Sequence, residues 1–349
     1  MRQLQHHLKF WLIGAIAILG NVLPAQAQII PAENDTGTIV NQNGSIIDIS
    51  GGAQSSDRAN LFHSFQQFGL SQSQIANFLS NPEIRNILVR IIGGDASYID
   101  GRIGILGSNA NLFLMNPAGI VFGANAVVNV PGSFTATTAN GIRLGDTWFN
   151  ATGSNNYAAL VGTPDTYAFT MSQPGSIFNF GAISVGIGKD LNLIGGTVLS
   201  RGSLTANQGN ITLAAVPGER LIRLSEPGKL LSLELPQPTA RNAPQSWTLP
   251  ILSLPQLLTG GNLNHAEMAS VNDRGQVQLT SSSMTVRTGD VIVRNAVTQT
   301  AGGKFFFYVN QFSTPLYSSY FRSPSSIVVP ATPAVPITAA DFAPVPASL

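Results

Sequence analysis

Short apolar runs alternate with turn residues along most of the chain, and the pattern is densest over residues 111–134, NLFLMNPAGIVFGANAVVNVPGSF. Leu112-Phe113-Leu114-Met115, Ile120-Val121-Phe122 and Val127-Val128-Asn129-Val130 are runs of strand length. Asn116-Pro117-Ala118-Gly119 separates the first two, Gly123-Ala124-Asn125-Ala126 separates the next, and Pro131-Gly132 closes the third. The first of these punctuations has turn chemistry throughout: Asn can bond its own backbone two residues on, Pro presets φ, and Gly suits the fourth position. Strand, turn, strand, turn, strand with almost no charge describes a chain coiling in short legs around a narrow apolar axis.

The same reading extends in both directions. Thr38-Ile39-Val40 and Ile46-Ile47-Asp48-Ile49 flank Asn43-Gly44 and predict a hairpin or first rung, the natural cap for the open end of a solenoid. In the run from Asn60 to Phe68, strict alternation places Phe62 and Phe68 on one face and Phe65 on the other. His63 lies beside these aromatics with no second His or acid nearby, which marks a core histidine. Asn81-Pro82-Glu83 has the form of a helix start, and Ile84, Ile87, Leu88 and Ile91 follow helical spacing up to Gly93-Gly94. That spacing predicts a short helix over residues 81–92, although 87–92 also reads as a strand. Residues 148–163 are polar and turn-rich, and predict a loop or small hairpin leaving the solenoid. Leu191-Asn192-Leu193 and Ile211-Thr212-Leu213 then recur at an interval that suits one β-helix coil. Six prolines between Pro227 and Pro255 break the pattern, so 218–262 is expected to be an excursion with 251–258 packing back. Val277-Gln278-Leu279, Met284-Thr285-Val286 and Val291-Ile292-Val293 resume short strands. Residues 301–349 are expected to hold a last strand, Phe305-Phe306-Phe307-Tyr308, and a disordered Pro- and Ala-rich tail.

The block around Asn116 also resembles the signature of the two-partner secretion domain, the N-terminal haemagglutination-activity domain of filamentous-haemagglutinin-like exoproteins. That family's N-P-N-G-I motif stands here as Asn116-Pro117-Ala118-Gly119-Ile120, with Ala118 departing at the third position. Its N-P-N-L motif has no counterpart, since Asn109-Ala110-Asn111-Leu112 lacks the Pro. The resemblance implies an all-β, right-handed parallel β-helix over residues 28–300 and an exoprotein of the adhesin type. It also implies a partner, an outer-membrane barrel whose periplasmic POTRA domains bind the unfolded secretion domain. Asn116, Pro117, Gly119 and Ile120 are then the transporter-recognition motif. Glycans or proteins of a host or neighbouring cell surface are the implied adhesion targets, and the chain is expected to act as a monomer.

Composition narrows the field further. Charged residues make 10% of the 349, against about 25% in ordinary soluble domains. A nucleic-acid binder needs a basic footprint, and 18 basic against 17 acidic residues supply none. Residues 1–27 read as a secretory signal: Arg2 and Lys9, an apolar stretch, then Ala25-Gln26-Ala27 as a cleavage pattern. Cysteine is absent, so packing rather than disulfides must hold an exported fold.

Parallel β-helices also carry polysaccharide lyases and hydrolases, which need converging carboxylates. No two acids are adjacent; Glu33 and Asp35 are the closest set, and Asp95 and Asp100 share a loop with Arg102 where turn-stabilising roles are expected. A pair assembled from distant coils stays open at this level. No His/Cys cluster suits zinc, the Gly181–Gly186 spacing has Ile187 where a phosphate loop needs Lys, and Gly93-Gly94-Asp95 only superficially matches a calcium repeat. No cofactor is expected, and the reading is of a secreted exoprotein rather than an enzyme.

Overall fold

The computed structural model describes residues 28–216 throughout and, beyond them, the strands Arg220–Leu224, Leu231–Glu234, Ser270–Val271, Val277–Leu279, Met284–Val286, Val291–Val293, Thr298–Gln299, Phe305–Tyr308 and Ile327–Val328. The expected signal segment, residues 251–258, and most of the expected tail lie outside the described residues.

From Asn86–Ile91 onward each coil contributes one strand to each of three parallel sheets. In one coil Asn111–Met115 enters the long sheet, Ile120–Phe122 the short sheet, and Val127–Val130 the second long sheet; Phe134–Thr137 then returns to the first. Leu112 lies beside Phe134 and Leu191 beside Ile211, so equivalent residues stack coil on coil. The interval read between Leu191 and Ile211 is thus one coil, and Asn210 bonds Asp190 across the same 20 residues. Alternation sends Leu61, Ile87, Leu112, Phe134, Leu191 and Ile211 inward as one continuous apolar ladder. The architecture is a parallel β-helix.

At its start, Thr38–Asn43 and Ile46–Gly51 pair antiparallel around Asn43-Gly44, with Gly44 at φ 60°. Ile46–Gly51 then pairs parallel with Ile75–Leu79, so the hairpin covers what would be the open edge of that sheet. Ile29–Pro31 lies antiparallel on Asn60–Phe68 and shields the edge of the long sheet.

Two expectations are corrected here. Residues 81–92 do not form a helix. Asn81 closes a turn, accepting from the Ile84 N–H through its carbonyl and from the Glu83 N–H through Oδ1, and Asn86–Ile91 is a fully buried strand of the long sheet. Ile87, Val89 and Ile91 point into the solenoid, while Leu88 packs into a second core outside it. A strand buried on both faces reads as a continuous apolar run, which helical spacing fits by coincidence. The second correction is Phe68. The pairing of Ile30 with Gln67 and of Pro31 with Phe65 skips Gln66, and this bulge reverses the alternation. Phe68 therefore joins Phe65 in the solenoid core, with ring centroids 5.2 Å apart, and Phe62 alone faces out.

What covers the outer face of the long sheet is the insertion after Thr137. Gly141–Leu144, Thr147–Asn150 and Pro164–Phe169 form an antiparallel sheet, extended by Arg220–Leu224 and Leu231–Glu234. A short 3-10 turn, Tyr157–Ala159, is the one helical element among the described residues. Ile142, Leu144, Phe149, Tyr167 and Phe169 from this sheet pack on Phe62, Leu88, Phe113 and Met115. Residues 148–163 thus leave the solenoid as expected, but return as the lid of a second core. Later in the chain, Val291–Val293, Thr298–Gln299 and Phe305–Tyr308 resume the three parallel sheets beside Val198, Leu204 and Ile211. Val277–Leu279 and Met284–Val286 pair with each other in a separate small sheet.

His63 is a core residue, as its surroundings in the sequence suggest. Its ring lies against Phe65 and Phe78, Nδ1 meets the Thr38 hydroxyl at 3.1 Å, and Nε2 has no partner. Burial lowers its pKa from 6.5 to about 4. The unfolded chain therefore takes up a proton below pH 6.5 that the folded chain refuses until about pH 4, and stability falls as pH drops through that window. The loss should be about 3 kcal/mol, at about 1.4 kcal/mol for each pKa unit between the two values. Urea denaturation at neutral and acid pH checks this; His63→Leu should flatten the dependence between the two pKa values.

Candidate functional site

The residues singled out in the sequence form one corner of the solenoid, between the long and the short sheet. Asn111–Met115 ends at Asn116, and the chain turns through Pro117 and Ala118 to Gly119 before Ile120–Phe122 begins. The Gly119 N–H donates to the Asn116 carbonyl at 3.0 Å, closing the turn that the residue types call for. Asn116 Oδ1 accepts from the Ala118 N–H at 3.0 Å, the local bond that Asn is chosen for. Gly119 sits at φ 128°, a backbone conformation that a β-branched side chain rarely adopts.

The corner is also tied to its neighbours on both sides. Toward the preceding coil, Asn116 Nδ2 donates to the Asp95 carbonyl at 2.9 Å and to Ser97 Oγ at 3.0 Å. The Gly119 carbonyl accepts from the Ser97 N–H at 3.0 Å. Toward the following coil, the Pro117 carbonyl accepts from the Gly175 N–H at 3.1 Å, and Ile120 pairs with Ile177. Gly175 lies so close on the turn that a Cβ there would stand 2.5 Å from the Pro117 oxygen and 2.7 Å from the Gly119 nitrogen. Thr138 Oγ1 donates to the Gly175 carbonyl at 2.7 Å, and Gly196 stacks next, its N–H 2.7 Å from the same oxygen.

All four motif residues are brought together, and all are buried. Asn116 is 1% exposed, Ile120 and the intervening Ala118 are 0%, and Pro117 and Gly119 are also enclosed. The turn holds no titratable side chain, and Asp95 contributes its backbone oxygen. Chemically the corner is a hydrogen-bonded backbone stack. Read from sequence, Asn116→Ala removes one local bond, worth about 1 kcal/mol; the three bonds now seen raise that cost.

The other candidates resolve into structural roles. Asp100 accepts from the backbone N–H and the side-chain Nδ2 of Asn125, both at 3.0 Å, holding the next corner of the solenoid. Burial and the Asp100 charge push the neighbouring Tyr98 hydroxyl up to about 12. Asp35 pairs with Arg90 at 2.6 Å, and Arg102 is exposed. Burial works to raise the Asp35 pKa, but hydrogen bonds from Ser64, Tyr157 and Arg90, with the Arg90 charge, outweigh it and hold the carboxyl below its ordinary value. Among the described residues no three His, Cys, Asp or Glu side chains converge as a metal site would require.

Several residues that build the corner and its surroundings escaped the sequence reading. Gly175 stands in Pro174-Gly175-Ser176, an ordinary turn signal whose target is a different coil. Asn111, inside the segment that lacks the family's Pro, belongs to a ladder. Its Nδ2 donates to Asn86 Oδ1 at 2.9 Å, and Asn86 Nδ2 donates to Asn60 Oδ1 at 2.8 Å. Separations of 25 and 26 residues between like side chains are the signal that was present for it.

The family model "TPS secretion domain", for two-partner secretion, matches residues 27–239, more than half of the chain. Among solved structures, the HMW1 secretion domain from Haemophilus influenzae is 23% identical, with a TM-score of 0.41 over 63% of this chain. This chain spans half the length of that structure. The filamentous hemagglutinin secretion domain is 19% identical, with a TM-score of 0.39 over 62% of this chain and 70% of its own. No curated protein sequence matches. On the strength of the family match, with its reach across the cap, the Asn116 corner and the insertion, the chain belongs to the two-partner secretion domain family.

Proposed function

We propose that this protein is an adhesin-type exoprotein, carried to the periplasm by its signal segment and through the outer membrane by a barrel with POTRA domains. Within that reading, Asn116, Pro117, Gly119 and Ile120 serve twice, first as an extended segment read by the transporter and then as a folded corner. One observation carries the double role: the motif is enclosed in the folded chain, Asn116 at 1% exposure. A partner that reads these side chains must meet them before the coils close.

A driving force for export follows from the same geometry. No nucleotide triphosphate is available at the outer membrane, but a solenoid gains stability as each coil docks on the last. Folding outside the cell therefore makes retreat unfavourable. On this reading the protein acts as a monomer at the cell surface or in the medium, where glycans or proteins of other cells are the adhesion targets.

Secretion should depend on the partner barrel. The test is co-expression with and without the cognate barrel, followed by assay of the medium. Release should require the barrel, and equal release in both cases would overturn the proposal.

A further inference from the structure

Arg90 lies on Asn86–Ile91 with its side chain outside the solenoid, yet it is 3% exposed. Its guanidinium joins three separate parts of the chain. Nη2 and Nε donate to Asp35 Oδ2 in the N-terminal segment, at 2.6 and 3.2 Å, and Nε donates to Ser64 Oγ on the adjacent coil at 3.0 Å. Nη1 donates to the carbonyls of Asn150 and Gly153 in the insertion, at 2.7 and 2.9 Å. The Tyr157 hydroxyl, also from the insertion, completes the knot by donating to Asp35 Oδ1 at 2.5 Å.

Apolar and backbone contacts repeat this three-way join. Phe62 of the first coil packs between Phe149 and Tyr157, with centroids 5.2 and 5.3 Å away. Asn60 Nδ2 donates to the carbonyls of Leu160 and Gly162, and the Ser56 N–H donates to the Ala158 carbonyl at 3.0 Å. Asp35 and Tyr157 are 122 residues apart, and Asn60 and Gly162 are 102 apart.

A buried ion pair is favourable only when its remaining hydrogen bonds are satisfied, and here the insertion supplies them. Without residues 150–162, Arg90 would lose both partners of Nη1, Asp35 would lose its Tyr157 donor, and Phe62 would lose its contact with the Tyr157 ring. The insertion must also close a loop of more than a hundred residues, so it cannot lock by local contacts alone.

We infer that the insertion is a folding latch: the N-terminal cap, the first coils and residues 141–169 lock as one cooperative unit, and the cap is not secured until the insertion docks. The solenoid then does not zip from its capped end one coil at a time. Its first stable unit reaches past Gly162, and later coils add to it. Taken with the proposed export route, the N-terminal coils stay open until that length has been delivered. The latch itself belongs to the chain alone.

Pulse-labelled hydrogen exchange during refolding of the full chain tests this without a transporter. Amides of Ile29–Pro31, Thr38–Asn43 and Ile46–Gly51 should gain protection in the same phase as those of Gly141–Leu144 and Pro164–Phe169. Tyr157→Phe keeps the ring and removes one bond to Asp35. It should speed native-state exchange in the cap about tenfold and leave Leu191–Gly195 and Ile211–Ala215 unchanged. Protection of the cap in an earlier phase than the insertion would overturn the inference. So would a Tyr157→Phe effect confined to the insertion, or one spread equally to the distant coils. Because the barrel plays no part, this result and the secretion assay can fail independently.

Discussion

Gly175→Val should strongly destabilise the fold. A Cβ at this position meets main-chain atoms of the coil below: the Pro117 oxygen at 2.5 Å and the Ala118 carbon and Gly119 nitrogen at 2.7 Å. Separations under 3.0 Å cannot be relieved by a rotamer change when the neighbour is backbone. The two coils must move apart, which stretches the bond from the Gly175 N–H to the Pro117 carbonyl, at 3.1 Å. Overpacking with loss of backbone bonds belongs to the rare class of changes costing more than about 4 kcal/mol. The expected result is a urea midpoint far below the parent's, or no cooperative transition at all. A variant with the parent's midpoint would mean that the corner has slack the packing does not show.

Asn116→Ala attacks the same corner from within the motif. The side chain has three bonds at 2.9–3.0 Å, and the substitution strands the Ala118 N–H and the Ser97 hydroxyl in a buried place. Each stranded group costs about 1–3 kcal/mol, so the loss should be about 3 kcal/mol in denaturant unfolding. A long solenoid can survive that and remain folded at moderate temperature. The pairing with Gly175 then separates stability from recognition. Gly175 lies outside residues 116–120, so a milder Gly175→Ala variant weakens the fold while leaving the motif's side chains intact. If the transporter reads Asn116, Asn116→Ala should bind isolated POTRA domains more weakly than the parent, both unfolded, whereas Gly175→Ala should bind like the parent. Equal binding by all three would reduce the motif to a turn.

Much of this corner is legible along the chain because its chemistry is local. Asn116, Pro117 and Gly119 act within four residues of one another, and the closing bonds are the ones those residue types favour. The hairpin at Asn43-Gly44 and the single-coil interval between Leu191 and Ile211 are legible for the same reason, one through φ and the other through repetition. Residues 86–91 are misread as helical because alternation fails where both faces are buried. Val89 faces the solenoid and Leu88 faces the insertion, so the polar half of the pattern disappears. Phe68 is misplaced by a bulge at Gln66, which leaves no mark in the residue types nearby.

The class of fold, short strands and tight corners around an apolar axis, is legible in residue order, because hydrophobic period and turn chemistry act over a few residues. One turn motif set in a matching block likewise carries the resemblance to the family. That the motif is enclosed, that Gly175 closes on it from another coil, and that Arg90 draws Asp35, Asn150 and Gly153 together follow from the three-dimensional packing. Those contacts join residues 55–63 positions apart, and whether two such groups meet depends on where the insertion folds back over the long sheet. Each local pattern is satisfied before that decision is made, so none of them carries it.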